Sequence, residues 1–328
     1  MNKNSLAFWL KLSAEERVKV FTETAEQSNL STVAIEKDWW VVQTLSIIFS
    51  MKYANVLIFK GGTSLSKGWN LIQRFSEDVD LALDREFLGY TGELTKGDIK
   101  KLRRKSYQFI TEVFTEELKN KFSELGFENV LVKYREVENH DQDPLIIEIY
   151  YPTLTNKDSY LKPALKEPFT QRSFGTIVSE VFTNRPFADK AITIPVVNPE
   201  RTFLEKIFLL HEEFQKSQDK IRVERLSRHL YDIEKLSQTE YADIALHDTD
   251  LYNTIVKHRE KFTPISGIDY TNHSPDKINF IPPDTILKDW QQDYEIMAQT
   301  MIYDNPLPFD ELIKRLTELQ KRIYTSQR

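Results

Sequence analysis

Two short stretches hold the residues whose types and spacing could do chemistry. The first is Lys60-Gly61-Gly62-Thr63-Ser64-Leu65-Ser66-Lys67, directly after the apolar run Val56-Leu57-Ile58-Phe59. The second is Arg74-Phe75-Ser76-Glu77-Asp78-Val79-Asp80. In the second, Asp78 and Asp80 stand two apart in an alternating segment. Val79, Leu81 and Leu83 fall on one face and Asp78, Asp80 and Ala82 on the other. Two carboxylates on one face repel, which is costly on a partly buried surface without compensation. A divalent cation compensates them, and Mg²⁺ (or Mn²⁺) suits one or two carboxylates completed by phosphate oxygens and water. In the first stretch a strand ends at Gly61-Gly62 and a short helix opens with Thr63 and Ser64 in its first turn. Such a turn presents backbone N–H groups and hydroxyls to an anion. Together the two stretches describe a turn for the triphosphate tail of a nucleoside triphosphate, beside a strand for its metal. Phosphoryl or nucleotidyl transfer needs this clamping and positioning. A glycine turn kept for its geometry and two surface acids would explain each half, but not their order and closeness. Neither half matches the G-x-x-x-x-G-K-[ST] or the G-x-G-x-x-G phosphate loop.

Taken together, Gly61-Gly62-Thr63-Ser64-Leu65 and Ser76-Glu77-Asp78-Val79-Asp80-Leu81 resemble the signature of the nucleotidyltransferase superfamily with the DNA polymerase beta-like fold. More narrowly, Phe59–Lys67 (FKGGTSLSK) with Arg74–Leu81 (RFSEDVDL) is similar to the AbiEii/AbiGii toxin family of abortive-infection and toxin–antitoxin systems. Ile35–Trp40 (IEKDWW) fits that family's helix before the first strand. The gap from Ser64 to Asp78 is longer than in the general superfamily and fits this branch. The resemblance spans roughly residues 35–235.

The resemblance implies roles for further residues. Polymerase-like transferases place a third carboxylate on a neighbouring strand. Glu148 is the only acid within Leu145–Tyr151, and an acid in so apolar a strand needs a partner. The expected metal set is therefore Asp78, Asp80 and Glu148, the alternative for Glu148 being an exposed edge-strand acid. Pro199-Glu200-Arg201-Thr202-Phe203-Leu204-Glu205-Lys206 opens a helix with Pro and an acid in its first turn. The family's phosphate-contacting lysine falls on Lys206, otherwise a solvated helix lysine. Arg228-His229-Leu230-Tyr231-Asp232 resembles a further family motif, whose functional aspartate falls on Asp232. Asp232 would either orient Lys206 or accept the acceptor's proton; its alternative is a surface pair with Lys235. The expected catalytic set is Asp78, Asp80, Lys206 and Asp232. The expected nucleotide-binding set is Gly61, Gly62, Thr63, Ser64, Lys67, Arg74 and Lys206.

The activity implied is that of a Mg²⁺-dependent toxin that transfers a nucleotide from an NTP to RNA, favouring the tRNA 3′ end, and so blocks translation. A cognate antitoxin, often a DNA-binding repressor, is implied with it. Two other readings stay open: nucleotidylation of a protein hydroxyl, and a non-catalytic nucleotide-binding module, against which the intact Asp78/Asp80 pair argues. Lys100-Lys101-Leu102-Arg103-Arg104-Lys105 packs five cations into six residues. It either touches phosphates of RNA or of the nucleotide tail or forms the solvated face of a helix.

The elements that must position these residues follow from periodicity. The first fifty residues read as helical, with a capping box from Ser13 to Glu16 and a deeply buried helix over Ile35–Ser50. Strands are expected at Val56–Phe59, Asp78–Asp84, Val130–Tyr134, Leu145–Tyr151 and Ala191–Val197. A short helix is expected at Thr63–Asn70, and a long amphipathic one over Asp98–Leu125, ended by Gly126. Pro152–Pro168 and Pro264–Pro283 read as loops. Helices are expected at Pro199–Gln215, Arg222–Ser237, Tyr241–Glu260, Asp284–Met301 and Phe309–Thr325. The fold class is α/β (α+β): a small mixed-sheet nucleotidyltransferase core with N-terminal helices and a helical C-terminal half. Residues 1–200 would form the core with its helical extension, and 201–328 a helical domain that completes the active site.

Composition bounds the rest. The chain has 328 residues, with 44 Lys and Arg against 50 Asp and Glu, a net charge of −6, and no cysteine. That excludes disulfide scaffolds, thiolate metal sites and cysteine nucleophiles, and suits a reducing compartment. The start, Met1–Ser13, is broken by Lys11 and does not read as a signal peptide. No run approaches a membrane span, so a cytoplasmic protein without a membrane partner is expected. The six histidines lack metal spacing, and His211 reads as structural; no G-x-S-x-G elbow is present.

Overall fold

The computed structural model describes residues 3–76, 78–136, 145–152, 158–164 and 168–325, with 158–164 as backbone. Glu77 and His140, and parts of the expected loop Pro152–Pro168, lie outside the described residues. The chain divides into two compact units. One comprises Met1–Gly68 and Phe75–Val197, the other Trp69–Arg74 and Asn198–Arg328.

The first unit is mixed α/β. Its helices are α1 (Lys3–Lys11), α2 (Ala14–Ser28), α3 (Thr32–Ile48), α4 (Gly61–Thr63), α5 (Lys96–Gln108), α6 (Thr115–Glu124) and α7 (Ile177–Val181). Its strands are β1 (Leu57–Lys60), β2 (Asp80–Asp84), β3 (Leu131–Tyr134), β4 (Leu145–Tyr150), β5 (Asp158–Ala164), β6 (Phe169–Phe174) and β7 (Ile192–Val197). They form one seven-stranded sheet in the order β3-β4-β5-β2-β1-β7-β6. β1 runs antiparallel to β2 and parallel to β7.

Local chemistry explains most of these elements. The Ser13 hydroxyl accepts the Glu16 N–H at 3.1 Å, and Glu16 Oε2 accepts the Ser13 N–H at 2.7 Å, the expected capping box. α3 is buried on nearly all sides, as an all-round apolar helix must be. Trp39 stacks on Trp9 at 4.9 Å and Trp40 on Tyr151 at 4.2 Å. The long expected helix over Asp98–Leu125 is α5 and α6 joined by a π-helical segment, Phe109–Phe114.

The loop expected over Pro152–Pro168 contains a strand, β5, which separates β4 from β2. At Pro163 the strand lies opposite Leu83 of β2, and among the described residues the β4 ladder runs from Asp158 to Leu161. β6, an edge strand, follows it and carries no clear alternation: Phe169, Thr170, Gln171 and Ser173 are all exposed.

The second unit is helical: α8 (Pro199–Phe214), α9 (Ser227–Ser237), α10 (Glu240–His247), α11 (Thr249–Phe262), α12 (Leu287–Thr300) and α13 (Phe309–Thr325). Two expected helices are shorter than their patterns. Tyr241–Glu260 breaks at Asp248, whose carboxylate accepts the Leu251 N–H at 2.8 Å and starts α11 anew. The helix expected from Arg222 begins only at Ser227. Arg225 is left-handed (φ 61°), and Asp293 accepts the N–H groups of Arg225 and Ser227 at 2.7 and 3.0 Å. The segment Trp69–Arg74 is part of this unit. Gln73 accepts the Tyr303 N–H at 3.1 Å, Arg74 bridges Ile302, and Trp69 meets the Tyr241 ring at 5.4 Å. His211 accepts the Asn279 N–H at 3.0 Å; burial, with neighbouring His273, pushes its pKa to about 4. It is a structural histidine. Among the described residues no helix is long and apolar enough to cross a membrane.

The turn after β1 is pressed onto the sheet at Gly68. A Cβ there would stand 2.9 Å from Val196 Cγ1, and the Gly68 carbonyl accepts Arg172 Nε–H at 2.8 Å. Gly68→Ala is therefore expected to cost about 1–3 kcal/mol by overpacking. Adding Val196→Ala should make the double variant more stable than the sum of the two single losses allows. Urea denaturation of the three variants measures both.

Candidate active site

The pairing of β1 with β2 sets the geometry of the carboxylates. Lys60 lies opposite Asp80 and Ile58 opposite Ala82, while Phe59 pairs with Leu81. Side chains alternate along a strand, so Asp80 and Lys60 share the face that carries Ile58, Ala82 and Val197, which pack together. Spacing does not single out Lys60; the antiparallel register does.

At the end of β1 the chain turns at Gly61 with φ +79°. A Cβ at this position would stand 2.0 Å from Asp80 Oδ2. The Asp80 carboxylate thus occupies the volume that any other residue's side chain would need. Gly61 is required twice, for its backbone conformation and for this close approach.

Asp78 lies just before β2 rather than within it. Its carbonyl accepts the Thr63 hydroxyl at 2.5 Å, and Thr63 also bonds the Ser76 hydroxyl at 2.9 Å. The Ser64 hydroxyl donates to the Gly61 carbonyl at 2.8 Å. Both Thr63 and Ser64 are buried. These hydroxyls brace the turn from within, whereas the sequence reading has them facing an anion. Lys67 is likewise committed: its ammonium stands 2.7 Å from Asp38, which also accepts the Ile177 N–H at the start of α7. Beside them, burial pushes the Glu180 carboxyl above its usual range.

Glu148 is not brought to this carboxylate pair. It lies on β4, with β5 between it and β2. Its Oε1 accepts Arg135 at 2.7 and 2.9 Å and its Oε2 the Tyr150 hydroxyl at 2.8 Å. The partner that an acid in this strand requires is Arg135. These bonds hold its carboxyl below the usual range. Among the described residues no group of three or more His, Asp or Glu side chains is arranged to hold a metal. The Asp78–Asp80 pair alone still fits a Mg²⁺-type ion. It offers hard oxygen donors, fewer than a full coordination sphere, and one of them is seated in a cradle that a Cβ would fill.

The second unit gathers the remaining candidates. Asp232, on α9, has no exposed side-chain surface. Its two oxygens accept Arg74 Nε–H and Nη2–H, each at 2.7 Å, and Lys206 Nζ on α8 stands 2.7 Å from Oδ2. The alternative partner, Lys235, pairs instead with Asp304 at 3.4 Å. Burial opposes the charge on Asp232, but Arg74 and Lys206 outweigh it and hold the carboxyl well below its usual range. Burial likewise pulls the Lys206 ammonium down, against the attraction of Asp232. His229, which spacing does not single out, is buried within reach of these charges. Burial, then Lys206 and Arg228, keep it neutral. Among the described residues its Nδ1 has no hydrogen-bond partner.

No curated protein matches this sequence. Among solved structures the chain is similar to MenT4, a nucleotidyltransferase toxin from Mycobacterium tuberculosis H37Rv. The two are 14% identical over 94% of this chain and 97% of that one, with a TM-score of 0.46. The sequence profile described as nucleotidyl transferase AbiEii toxin, type IV toxin–antitoxin system, matches residues 45–315. That span takes in the glycine turn, the Asp78–Asp80 pair and the Arg74, Lys206 and Asp232 cluster, and the chain belongs to the AbiEii nucleotidyltransferase toxin family.

Proposed function

We propose that this nucleotidyltransferase toxin moves a nucleoside monophosphate from an NTP to an RNA acceptor, with Mg²⁺, and that the acceptor is the 3′ end of tRNA. Loss of a usable tRNA end would block translation in the cytoplasm. Its antitoxin would be a separate protein, a DNA-binding repressor. The observation that carries the reading is the Asp80 carboxylate seated on Gly61 with Asp78 two residues before it.

In the reaction the acceptor hydroxyl oxygen forms a bond to the α-phosphorus. The bond from that phosphorus to the bridging oxygen breaks, and pyrophosphate leaves with the electron pair. The acceptor's proton passes to solvent. Bound at Asp78 and Asp80, Mg²⁺ supplies charge neutralisation for the reacting phosphate oxygens. Gly61 and Gly62 offer first-turn N–H groups, which have no acceptor within a helix.

Buried positive charge supports a phosphate role for Lys206 and Arg74. Two buried cations, Arg74 and Lys206, lie against the Asp232 carboxylate. Buried cations are costly in a protein interior, and a bound phosphate would be drawn to them. Asp232 then acts by positioning Lys206 and Arg74. A carboxyl held this far down is a poor proton acceptor. Lys67, held by Asp38, braces the turn.

The experiment is incubation of the protein with total bacterial RNA, Mg²⁺ and each α-labelled NTP. Label is expected on a tRNA-sized band and is expected to vanish with EDTA. Asp80→Asn is expected to lose at least about 10²-fold in rate while keeping the wild-type melting temperature within a few degrees. Gly61→Ala, which places a Cβ against Asp80 at positive φ, is expected to lose rate and to melt lower as well. Label on protein in place of RNA would overturn the RNA acceptor. No label on any acceptor, with growth inhibition unchanged in Asp80→Asn, would overturn transfer as the basis of toxicity.

The buried cluster separates charge from fold. Lys206→Met leaves the Arg74–Asp232 pair balanced, so stability should change by less than about 1.5 kcal/mol. Transfer should fall at least about 10²-fold. Asp232→Asn instead leaves two buried cations facing each other and should cost about 3–5 kcal/mol. Because the Asp232 pKa is depressed in the folded state, its contribution is complete above the unfolded value of about 4. It is lost as pH falls below that value. The wild-type loss of stability on acidification should therefore be shallower in Asp232→Asn, as denaturation at pH 7 and pH 3 will measure.

A further inference from the structure

We propose that the solvent face of α5 docks the phosphodiester backbone of the RNA acceptor. The proposal rests on the RNA-acceptor reading above. α5 has thirteen residues and holds six cations, Lys96, Lys100, Lys101, Arg103, Arg104 and Lys105, with one acid, Asp98. Asp98 is engaged in the cap, where it accepts the Thr95 N–H at 3.0 Å and the Thr95 hydroxyl at 2.6 Å.

Burial sorts the cations onto one side. Ile99, Leu102 and Ser106 are buried, while Lys96, Lys100, Lys101, Arg104 and Lys105 are exposed. Lys96, Lys100 and Arg104 follow one another at single-turn steps of about 6 Å along the axis. The helix therefore contains three like-charge pairs four residues apart: Lys96 with Lys100, Lys100 with Arg104, and Lys101 with Lys105. Each such pair weakens a helix, and a merely solvated face would have been served as well by mixed charges. The concentration stands out further in a chain of net charge −6.

The face fits a polyanion better than an acidic protein. Protein interfaces are built around an apolar centre, and the exposed residues of α5 are Lys, Arg, Gln and Gly. Aromatic rings border it. Lys105 Nζ lies 5.9 Å from the centre of the Tyr90 ring, and Tyr107 meets Tyr134 of β3 at 6.3 Å, next to the exposed Lys133. Cations at regular spacing with aromatics at the margin make a surface for nucleic-acid phosphates.

The test is fluorescence anisotropy of a labelled RNA stem-loop of tRNA length, titrated with full-length protein at several KCl concentrations. Two triple variants are compared: Lys100→Glu/Lys101→Glu/Arg104→Glu and the milder Lys100→Gln/Lys101→Gln/Arg104→Gln. The second relieves the like-charge pairs without reversing any charge, and the melting temperatures of both variants are compared with wild type so that a loss of binding is read only from folded protein. Both should bind at least tenfold more weakly at 0.15 M KCl. The slope of log affinity against log salt should shrink by about 2–3. In the transfer assay the KM for RNA should rise with kcat within twofold.

Unchanged affinity and slope in both variants, with RNA still labelled, would overturn the docking face and leave the acceptor reading standing. Absence of RNA binding by wild type would overturn the docking face as well. Binding that depends on these cations, with label transferred only to protein, would keep the face and overturn the acceptor reading.

Discussion

The geometry of the glycine turn depends on one close approach, that of the Asp80 carboxylate to the backbone of Gly61. It can exist only where a glycine turns the chain at positive φ, directly across an antiparallel ladder from an acid. The register of β1 with β2 supplies the second condition by setting Lys60 opposite Asp80. The Thr63 hydroxyl adds a third tie, from the turn to the Asp78 carbonyl. Turn and carboxylates thus form one braced unit. The hydroxyls nearest the glycines are used to build it.

The buried ion pairs of this chain are of two kinds. Lys67 with Asp38, and Arg259 with Glu212, match one cation to one carboxylate. Such pairs satisfy interior charge and specify packing, with little net gain in stability. The cluster at Asp232 differs, because Arg74 and Lys206 both lean on one carboxylate. Desolvation makes interior charge expensive, and each of these cations is held against a carboxylate. Arg74 also shows why the motif spacing is long: between the glycine turn and Asp78 the chain passes through the helical unit.

What was legible in the sequence was local. Asp78 and Asp80 two apart, the double glycine after an apolar run, the Ser13–Glu16 box and the buried Trp39–Trp40 helix each depend on near neighbours, and each is seen. The strand β5 was not legible, because its apolar alternation is broken by Lys162 and Pro163 and its partners lie far along the chain. Glu148 shows the same limit: its strand was correctly read, yet Arg135 answers its charge from thirteen residues away. The spacing of Lys67 after the glycines is compatible with a phosphate ligand. Only the fold brings up Asp38 from the preceding helix.

For the proposed RNA acceptor, the chain's negative total of −6 sets a constraint. Repulsion from most of its surface weakens unspecific association, because phosphate contacts dominate such binding. Attraction must then come from a confined surface, and one face of α5 concentrates it. The carboxylates at Asp78 and Asp80 would themselves repel an incoming phosphate unless a cation compensates them. On the proposed reading, a cationic face made of other side chains would attract the RNA backbone while the carboxylates are reserved for a metal. Affinity for the polymer and chemistry at the phosphate are in this way assigned to different side chains, each set suited to one sign of charge.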